Sequence, residues 1–276
     1  RKGEVRVNKK RADANYRVQA EDLLRIPPMQ RDAAPRANLP LQLSSKLAKF
    51  LEARILFEDK NLLIINKPAG MAVHGGSGIR LGMIEALRLL RPEAKHLELV
   101  HRLDRETSGC LILAKKPSKL RECHALLREA RMTKRYLLLV KGVWPASLKL
   151  VDQPLAKNHL QSGERMVFVD PAGKSARTQF RLKQRLRDAS LLEAQPETGR
   201  THQIRVHALS VGHPLIGDEK YGNDKANQQG RRYGCKRLFL HAASLEFKLE
   251  DYPQPIKVTA ALDADLVACL AQWPAA

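Results

Sequence analysis

The stretch LVHRLDRETSGCLILA, residues 99–114, sets two apolar runs on either side of a charged loop. The runs at 99–100 and 111–114 have the composition of short buried strands. Between them, HRLDRETSG at 101–109 carries polar side chains where neither strand nor helix periodicity asks for them. The stretch therefore predicts a functional loop between two strands of a sheet.

Asp104 is the candidate functional residue of this loop, where Arg102 and Arg105 flank it. Neighbouring cations would hold such a carboxylate ionised, as a nucleophile or a general base must be. A loop aspartate that only makes surface ion pairs would have the same local sequence. From these residues alone both interpretations stay open.

Outward from this loop, strand-sized apolar runs alternate with amphipathic segments. Amphipathic helices are predicted at 82–91, 117–129 and 262–270 from apolar residues that recur at helical spacing. The pattern indicates an α+β fold with one twisted mixed sheet flanked by helices, and shows no internal repeat. The predicted strands are ILFED at 55–59, LLIIN at 62–66, LILA at 111–114, YLLLV at 136–140 and LFLHAASLEF at 238–247.

Three further segments carry polar residues that the sheet does not require. They are NKPAGMAVHGG at 66–76, KRYLLLVKG at 134–142 and ETGRTHQIRVH at 197–207. Tyr136 begins an apolar strand, so it is either a core residue or a ring offered to an unstacked base. Thr201 is predicted to cap a helix that ends near Gly212, and on that helix Arg205 would reach a carboxylate.

Metal and disulfide chemistry are not favoured by the histidines and cysteines. His202 and His207 are five residues apart, whereas two imidazoles that share a helix face to bind a metal stand four apart. The four cysteines form neither a CxxC pair nor a zinc-finger spacing, which indicates reduced thiols; they are Cys110, Cys123, Cys235 and Cys269.

The charge of the chain points to a polyanionic partner. Its 276 residues hold 49 Lys and Arg against 29 Asp and Glu, a formal net charge of +20. RNA, DNA and an anionic membrane surface all fit this charge, but no apolar run reaches the ~18 residues of a spanning helix. Basic residues cluster at 115–141 and 174–187 while 241–276 is acidic, which predicts a sided surface that follows a phosphate backbone.

The N-terminal region differs in composition from the rest. Residues 1–28 begin with a basic run at Arg1 rather than with Met, as a truncated N-terminus would. The stretch YRVQAEDLLRIPP at 16–28 then predicts a strand, a turn and a strand. Residues 29–50 contain Pro35 and Pro40 and few large apolar residues, which is typical of a linker. We expect the main domain to span 51–276.

Several of these motifs together resemble the RluA-type pseudouridine synthases over roughly residues 50–276. The resemblance runs in the family's order through NKPAGMAVH, HRLDRETSG, KRYLLLVKG, TGRTHQIRVH, GHPLIGDEKYG and LFLHA. The stretches GMAVHGGSG and KNHLQSGERMV most closely resemble the family's C-type synthases of large-subunit ribosomal RNA. RKGEVRVNKKR with EDLLRIPP is similar to the later half of the RNA-binding module of ribosomal small-subunit protein four, so a partial module is expected.

The resemblance implies a role for five residues. Asp104 falls on the family's catalytic aspartate, Tyr136 on the tyrosine that stacks against the uracil, and Arg205 on the arginine that pairs with the aspartate. Arg102 falls on the arginine that fills the space left by the flipped base, and Ile204 on a further substrate-binding position.

The implied function is isomerisation of specific uridines in 23S ribosomal RNA, or in its large-subunit precursor. Neither a cofactor nor a metal is expected, and the resemblance implies a cytoplasmic monomer without a membrane partner. A non-catalytic ribosomal RNA-binding or ribosome-assembly protein would have the same basic surface. A metal-dependent nuclease that uses His101, Asp104 and Glu106 is a second alternative.

Overall fold

The computed structural model of the chain describes residues 6–13, 15–25, 43–76, 81–159 and 165–276. The chain divides into a first unit, Arg1–Leu41, and a second unit, Gln42–Ala276. The stretches GMAVHGGSG and KNHLQSGERMV, on which part of the family resemblance rests, lie partly outside the described residues.

The described part of the first unit is a small antiparallel sheet. Strands β1 (Arg6–Val7), β2 (Lys10–Arg11) and β3 (Leu24–Arg25) pair in the order β2-β1-β3. Asn8 and Lys9 join β1 to β2 with φ of 50° and 67°, as in the tight hairpin turns that match the twist of the strands. The strand, turn and strand predicted for YRVQAEDLLRIPP are present only in part: among its described residues, 16–25, the structure has the turn at 20–21 and β3 but no first strand. The hairpin of β1 and β2 lies in the preceding basic run and was not predicted.

Part of the predicted linker is helical. Helix α1 (Ser45–Glu52) begins inside the range 29–50, and the Ser44 side chain caps it by accepting a hydrogen bond from the Leu47 N–H. Within the range, the Leu47 side chain packs against the core of the second unit. Residues 26–42 lie outside the described residues, and the division of the chain at 28 and 50 stays a prediction.

Among the described residues of the second unit, ten strands form one twisted sheet. Its main path is β4-β5-β7-β14-β8-β13-β12-β9, with β15 pairing with β14 and β6 with β7. A separate hairpin joins β10 and β11. The strands are β4 (Ile55–Glu58), β5 (Leu62–Lys67), β6 (Glu98–Leu99), β7 (Ser108–Ala114), β8 (Thr133–Lys141), β9 (Leu150–Asp152), β10 (Leu155–His159), β11 (Arg165–Val169), β12 (Arg177–Leu186), β13 (Ala189–Pro196), β14 (Leu240–Phe247) and β15 (Ile256–Thr259).

The sheet is mixed and mostly antiparallel, which confirms the predicted α+β class. Within the described sheet β7 and β14 pair in parallel, and the other pairs are antiparallel. The five strands predicted from apolar runs correspond to β4, β5, β7, β8 and β14. Buried strands were predictable because their side chains alternate between two covered faces and so read as continuous apolar runs.

In the part of the chain that the structure describes, five more helices pack on the sheet: α2 (Met83–Leu90), α3 (Pro117–Arg128), α4 (Gln203–Ser210), α5 (Asp224–Arg232) and α6 (Ala264–Gln272). Helices α2, α3 and α6 confirm the three predicted from apolar spacing. The predicted Thr201 cap is wrong, because the N-cap of α4 is His202 in the left-handed conformation, with no side-chain cap bond.

The core lies on both faces of the sheet, with β8 in the middle. Leu138 and Val140 face α4, where they pack against Ile204 and Ala208. Leu139 faces the other way, toward residues of α5 and α6. Since α4 is buried against the sheet, the chain segment that leads into it is held firmly beside the loop that precedes β7.

Two further expectations from the sequence concern the cysteines and membrane-spanning helices. All four cysteines are free and buried, in agreement with the absence of disulfide spacing. No helix within the described ranges has the length and apolar character needed to cross a bilayer.

Candidate active site

A cavity of about 360 Å³ opens between the loop before β7, the first residues of β8 and the segment that leads into α4. This volume is within the range of small-molecule pockets. All five residues that the sequence singled out for a site line it: Arg102, Asp104, Tyr136, Ile204 and Arg205. The structure therefore brings together residues that are up to 103 positions apart in the chain.

The loop that carries Asp104 is fixed to β14 at its C-terminal end. The buried Ser108 hydroxyl lies 2.8 Å from His241 Nδ1, and His241 Nε2 lies 3.1 Å from the Ala260 carbonyl oxygen. Gly109 has a φ of 108°, and a Cβ there would lie 2.3 Å from the Ala242 carbonyl oxygen. Only glycine fits this approach of two backbones, so the TSG end of the motif is a structural requirement.

Lys67, at the end of β5, holds the other side of the loop. Its buried Nζ donates to the carbonyl oxygens of Pro68, Met71 and Arg105 at 2.9–3.0 Å. Burial lowers the pKa of Lys67 to about 8, against the opposing effect of Glu106 and Asp104. Lys67 of the NKPAG motif thus holds the Asp104 loop in place through hydrogen bonds, which explains why this motif carries a charged residue.

Arg205 connects Asp104 to a second, fully buried carboxylate. Its Nη1 donates to Asp104 Oδ2 at 3.3 Å, while its Nε and Nη2 donate to the two oxygens of Asp218 at 2.7 Å each. The Tyr221 ring packs on the guanidinium at 4.9 Å. A bidentate pair fixes the plane of the guanidinium, so Asp218 sets the direction in which Arg205 meets Asp104.

The cations next to Asp104 in sequence do not contact it, contrary to expectation. Arg105 is exposed and donates from Nε to the Gly70 carbonyl oxygen at 2.9 Å. Arg102 is also exposed and lines the cavity. Successive side chains in the loop point in different directions, and the cation that meets the carboxylate comes from α4.

A second contact to Asp104 comes from His202. The Val167 N–H donates to the Tyr221 hydroxyl oxygen at 3.0 Å, and that oxygen lies 2.7 Å from His202 Nδ1. This pattern directs the hydroxyl proton to Nδ1 and assigns the ring proton to Nε2, which lies 3.7 Å from Asp104 Oδ2. Burial lowers the pKa of His202 in spite of Asp104, so the imidazole is neutral at physiological pH.

Both of these contacts are made to the same oxygen of Asp104. Within the described parts of the chain, no group donates a hydrogen bond to Oδ1. The side chain is 22% exposed, so it is accessible from the cavity. One oxygen is thus anchored while the other is available for chemistry, the arrangement that a positioned nucleophile needs.

The remaining walls of the cavity are apolar or basic. Burial raises the pKa of Tyr136, helped by the charge of Asp104, so its hydroxyl stays protonated at neutral pH. Ile204 and Leu240 form the apolar floor. Burial, followed by the charge of Lys134, lowers the pKa of His101 to about 4, and His101 Nε2 accepts a hydrogen bond from the Ile112 N–H.

The geometry offers no metal centre in the part of the chain that is described. No group of three or more His, Cys, Asp and Glu side chains converges there. His101 is occupied by the backbone of β7, so it does not join Asp104 and Glu106 as a nuclease site would require. His207 lies 2.8 Å from the Thr178 hydroxyl and 3.0 Å from the Gln153 carbonyl oxygen, away from His202.

Four residues of the site were not predicted as such: Lys67, His202, Asp218 and Tyr221. Asp218 and Tyr221 lie in GDEKYG, which contributed only to the resemblance, and His202 was considered only as a metal ligand. For Lys67 a sequence signal was present, since a charged residue at the end of the apolar run LLIIN suggests a buried and paired group. Which partner each one meets depends on the path of the chain.

The chain is similar to several known proteins. The family model for RNA pseudouridylate synthase matches residues 61–210. The ribosomal large subunit pseudouridine synthase C of Yersinia pestis is 51% identical over 272 residues, which cover 98% of this chain and 84% of the relative. The protein of the same name from Escherichia coli K12 is 48% identical and is covered to 85% of its length.

Solved structures share the fold. Human RNA pseudouridylate synthase domain containing 4 superposes with a TM-score of 0.69 at 27% identity, over 82% of this chain and 95% of that one. Human RNA pseudouridylate synthase domain containing 1 gives a TM-score of 0.67 at 24% identity, over 85% and 91% of the two chains, which is a likeness of fold.

Proposed function

The chain belongs to the RNA pseudouridylate synthase family, and from this premise we propose that it isomerises uridines of 23S ribosomal RNA with Asp104 as the nucleophile. It is an isomerase that acts on ribosomal RNA, as its curated relatives at 48–51% identity are named. The observation that carries the role of Asp104 is its position in the cavity, with Oδ2 bound to Arg205 and Oδ1 open to a ligand.

Each of the other candidate residues has a place in this proposal. Tyr136 stacks on the extruded uracil, and Ile204 forms the apolar surface beneath it. Arg205 orients Asp104 and keeps it ionised. Arg102 is exposed and lines the cavity, and its side chain fills the gap that the extruded uracil leaves in the RNA stack.

The reaction begins when one uridine leaves its stack, which costs a few kcal/mol and is easiest in loops and bulges. Asp104 then attacks the nucleoside and forms a covalent bond to it, which breaks again before the product leaves, so that the free carboxylate is regenerated. The N1–C1′ bond breaks, the uracil turns within the cavity, and C5 forms the new bond to C1′. One proton leaves C5 and one is gained at N1, so the product is an isomer of the substrate and no redox change occurs.

The proposal is tested by mapping pseudouridine across 23S ribosomal RNA from cells with and without the gene. We expect specific positions to lose the modification and to regain it when the wild-type gene is restored. An unchanged map would contradict the substrate. A restored map with a variant that lacks the Asp104 carboxylate would contradict the mechanism.

The alternatives fit the site less well. A non-catalytic assembly protein has no need of a carboxylate held by a guanidinium in a cavity. A nuclease would need His101, Asp104 and Glu106 to share a cation, but His101 is bound to the backbone. Strand cleavage of ribosomal RNA by the purified protein would revive that alternative.

We extend the proposal to partners, location and domains. The RNA partner is 23S ribosomal RNA or its large-subunit precursor, which places the protein in the cytoplasm, where these RNAs are made. We propose that it acts as a monomer, since all the site residues come from one chain. Residues 1–28 form the later half of an RNA-binding module that adds phosphate contacts to the catalytic domain.

Activity is expected to survive exhaustive chelation. The proposed chemistry uses a carboxylate nucleophile and requires no Lewis acid. Pseudouridine formation would be measured on RNA that is refolded in monovalent salt, with and without EDTA. A loss of activity that a divalent ion restores, and that monovalent salt does not, would support a metal site instead.

Deletion of residues 1–41 is expected to weaken RNA binding without abolishing isomerisation. This segment has ten Lys and Arg against five acids, so its removal takes away part of the counterion release. The slope of log affinity against log salt should therefore become shallower, while the single-turnover rate at saturating RNA persists. A folded truncated protein that is inactive at saturating RNA would contradict this division of roles.

A further inference from the structure

Lys134 is a desolvated cation in the wall of the active-site cavity. It stands near the start of β8 and is half-buried. Within the described residues, its ammonium makes neither a hydrogen bond nor an ion pair. Burial lowers its pKa, with no carboxylate to oppose the effect.

Three other buried or partly buried lysines of the same unit have acceptors within the protein. Lys67 donates to three carbonyl oxygens. Lys115 pairs with Glu58 at 2.5 Å, and Lys119 pairs with Glu122 at 2.8 Å. Holding an ammonium away from water without a counter-charge is unfavourable, which is why these lysines have acceptors. The position of Lys134 therefore indicates that its acceptor comes from outside the chain.

The cavity itself does not supply that acceptor. Its carboxylate, Asp104, is turned toward Arg205, which is further neutralised by Asp218. Lys134 also lines the cavity and is close enough to His101 for its charge to lower the pKa of that imidazole. Arg102 follows His101 and, within the described residues, has no carboxylate partner either. The cavity is thus lined by two cations, Lys134 and Arg102, that no carboxylate of the described residues compensates.

The position of Lys134 along β8 relates it to the base. Lys134 and Tyr136 stand two residues apart on one strand, which puts their side chains on the same face at a spacing of about 6.6 Å. Both line the cavity. Within a nucleotide, the base and its own phosphate are separated by a similar distance. In RNA the phosphodiester is the group that carries negative charge, so an unmatched ammonium beside a base site selects a phosphate.

From this arrangement we propose that Lys134 binds a phosphate that flanks the extruded uridine, so that it fixes the nucleotide in register with Tyr136 and Asp104. The proposal rests on the proposed function and adds a subsite to it. The ammonium donates to the non-bridging oxygens, and the bound phosphate supplies the counter-charge that the protein lacks.

The test compares Lys134→Met, Lys134→Arg and wild type on unmodified 23S ribosomal RNA. We expect Lys134→Met to weaken binding about tenfold at low salt and to reduce the salt slope by about 0.7, the value of one contact to a single strand. Lys134→Arg keeps the charge and should retain most of the RNA affinity and most of the salt slope. The control is Lys248→Met, which removes an exposed lysine from the acidic end of the chain. It should leave both the RNA affinity and the salt slope unchanged.

Thermal unfolding of the same proteins separates binding from a structural role. Without RNA, Lys134→Met should unfold at the same temperature as wild type or a higher one, because an unmatched charge has been removed. An unchanged affinity and slope, or a lower unfolding temperature with binding lost in proportion, would overturn the proposal. Absence of pseudouridine formation by wild type would instead contradict the proposed function.

Discussion

Asp104→Asn is expected to abolish pseudouridine formation while the protein stays folded and binds RNA. The amide keeps the size of the side chain but is not a nucleophile, so the single-turnover rate should fall by at least about 10⁴-fold. The fold should tolerate the change, because Arg205 keeps its bidentate partner Asp218. RNA affinity should be equal or slightly higher, since a negative charge has left a surface that binds phosphates.

The matched control for this variant is Glu106→Gln, which removes a carboxylate from the same loop. Glu106 is half-exposed and lies 3.6 Å from Arg105. We expect it to keep the wild-type rate. The measurement is pseudouridine formation with enzyme in excess over 23S ribosomal RNA, with affinity determined in parallel. Turnover by Asp104→Asn above background would refute the assignment, and a parallel loss of binding would favour an assembly protein.

Asp218→Asn is expected to have the second largest effect, on both stability and rate. The Asp218 carboxylate is fully buried and accepts four hydrogen bonds, from Arg205 Nε and Nη2 and from the backbone N–H groups of Lys220 and Tyr221. The amide of an asparagine at this position directs N–H groups at some of these donors, and it leaves the positive charge of Arg205 only partly compensated. Breaking such a buried pair costs about 3–5 kcal/mol, which corresponds to a melting temperature roughly 10 °C lower.

The rate should fall because Asp218 acts on Asp104 through Arg205. Without the bidentate pair the guanidinium is free to rotate, and Asp104 loses the contact that fixes Oδ2. Misplacement of a reacting group by about 1 Å costs about 10²-fold in rate. We therefore expect a comparable fall in the single-turnover rate at saturating RNA, measured below the unfolding temperature, with little change in RNA affinity.

Asp265→Asn is the control for this second prediction. Asp265 pairs with Arg237 at 2.6 Å, but its side chain is 51% exposed, so the pair should contribute less than about 1 kcal/mol. The contradicting outcome is an Asp218→Asn protein that is destabilised but whose folded fraction reacts at the wild-type rate. In that case Asp218 would be structural only, and the positioning role would be wrong.

Much of the fold was predictable from residues that are close in sequence. The five apolar runs and three amphipathic segments gave five strands and three helices, because burial on a sheet or helix face imposes a local period on the side chains. The helix N-terminus at His202 was not predictable in this way. Thr201 has the chemistry of a cap, but the left-handed turn at His202 directs that imidazole toward Asp104 instead.

The sequence by itself determined the α+β class, the basic charge and Asp104 as the candidate nucleophile, through local periodicity and a family resemblance. The tertiary structure decided which groups surround that carboxylate. Arg102 and Arg105 are its neighbours in the chain, yet the cation that meets it is Arg205, which Asp218 holds. Apolar periodicity is a local property, whereas the contact between two side chains 101 residues apart depends on the path of all the backbone between them.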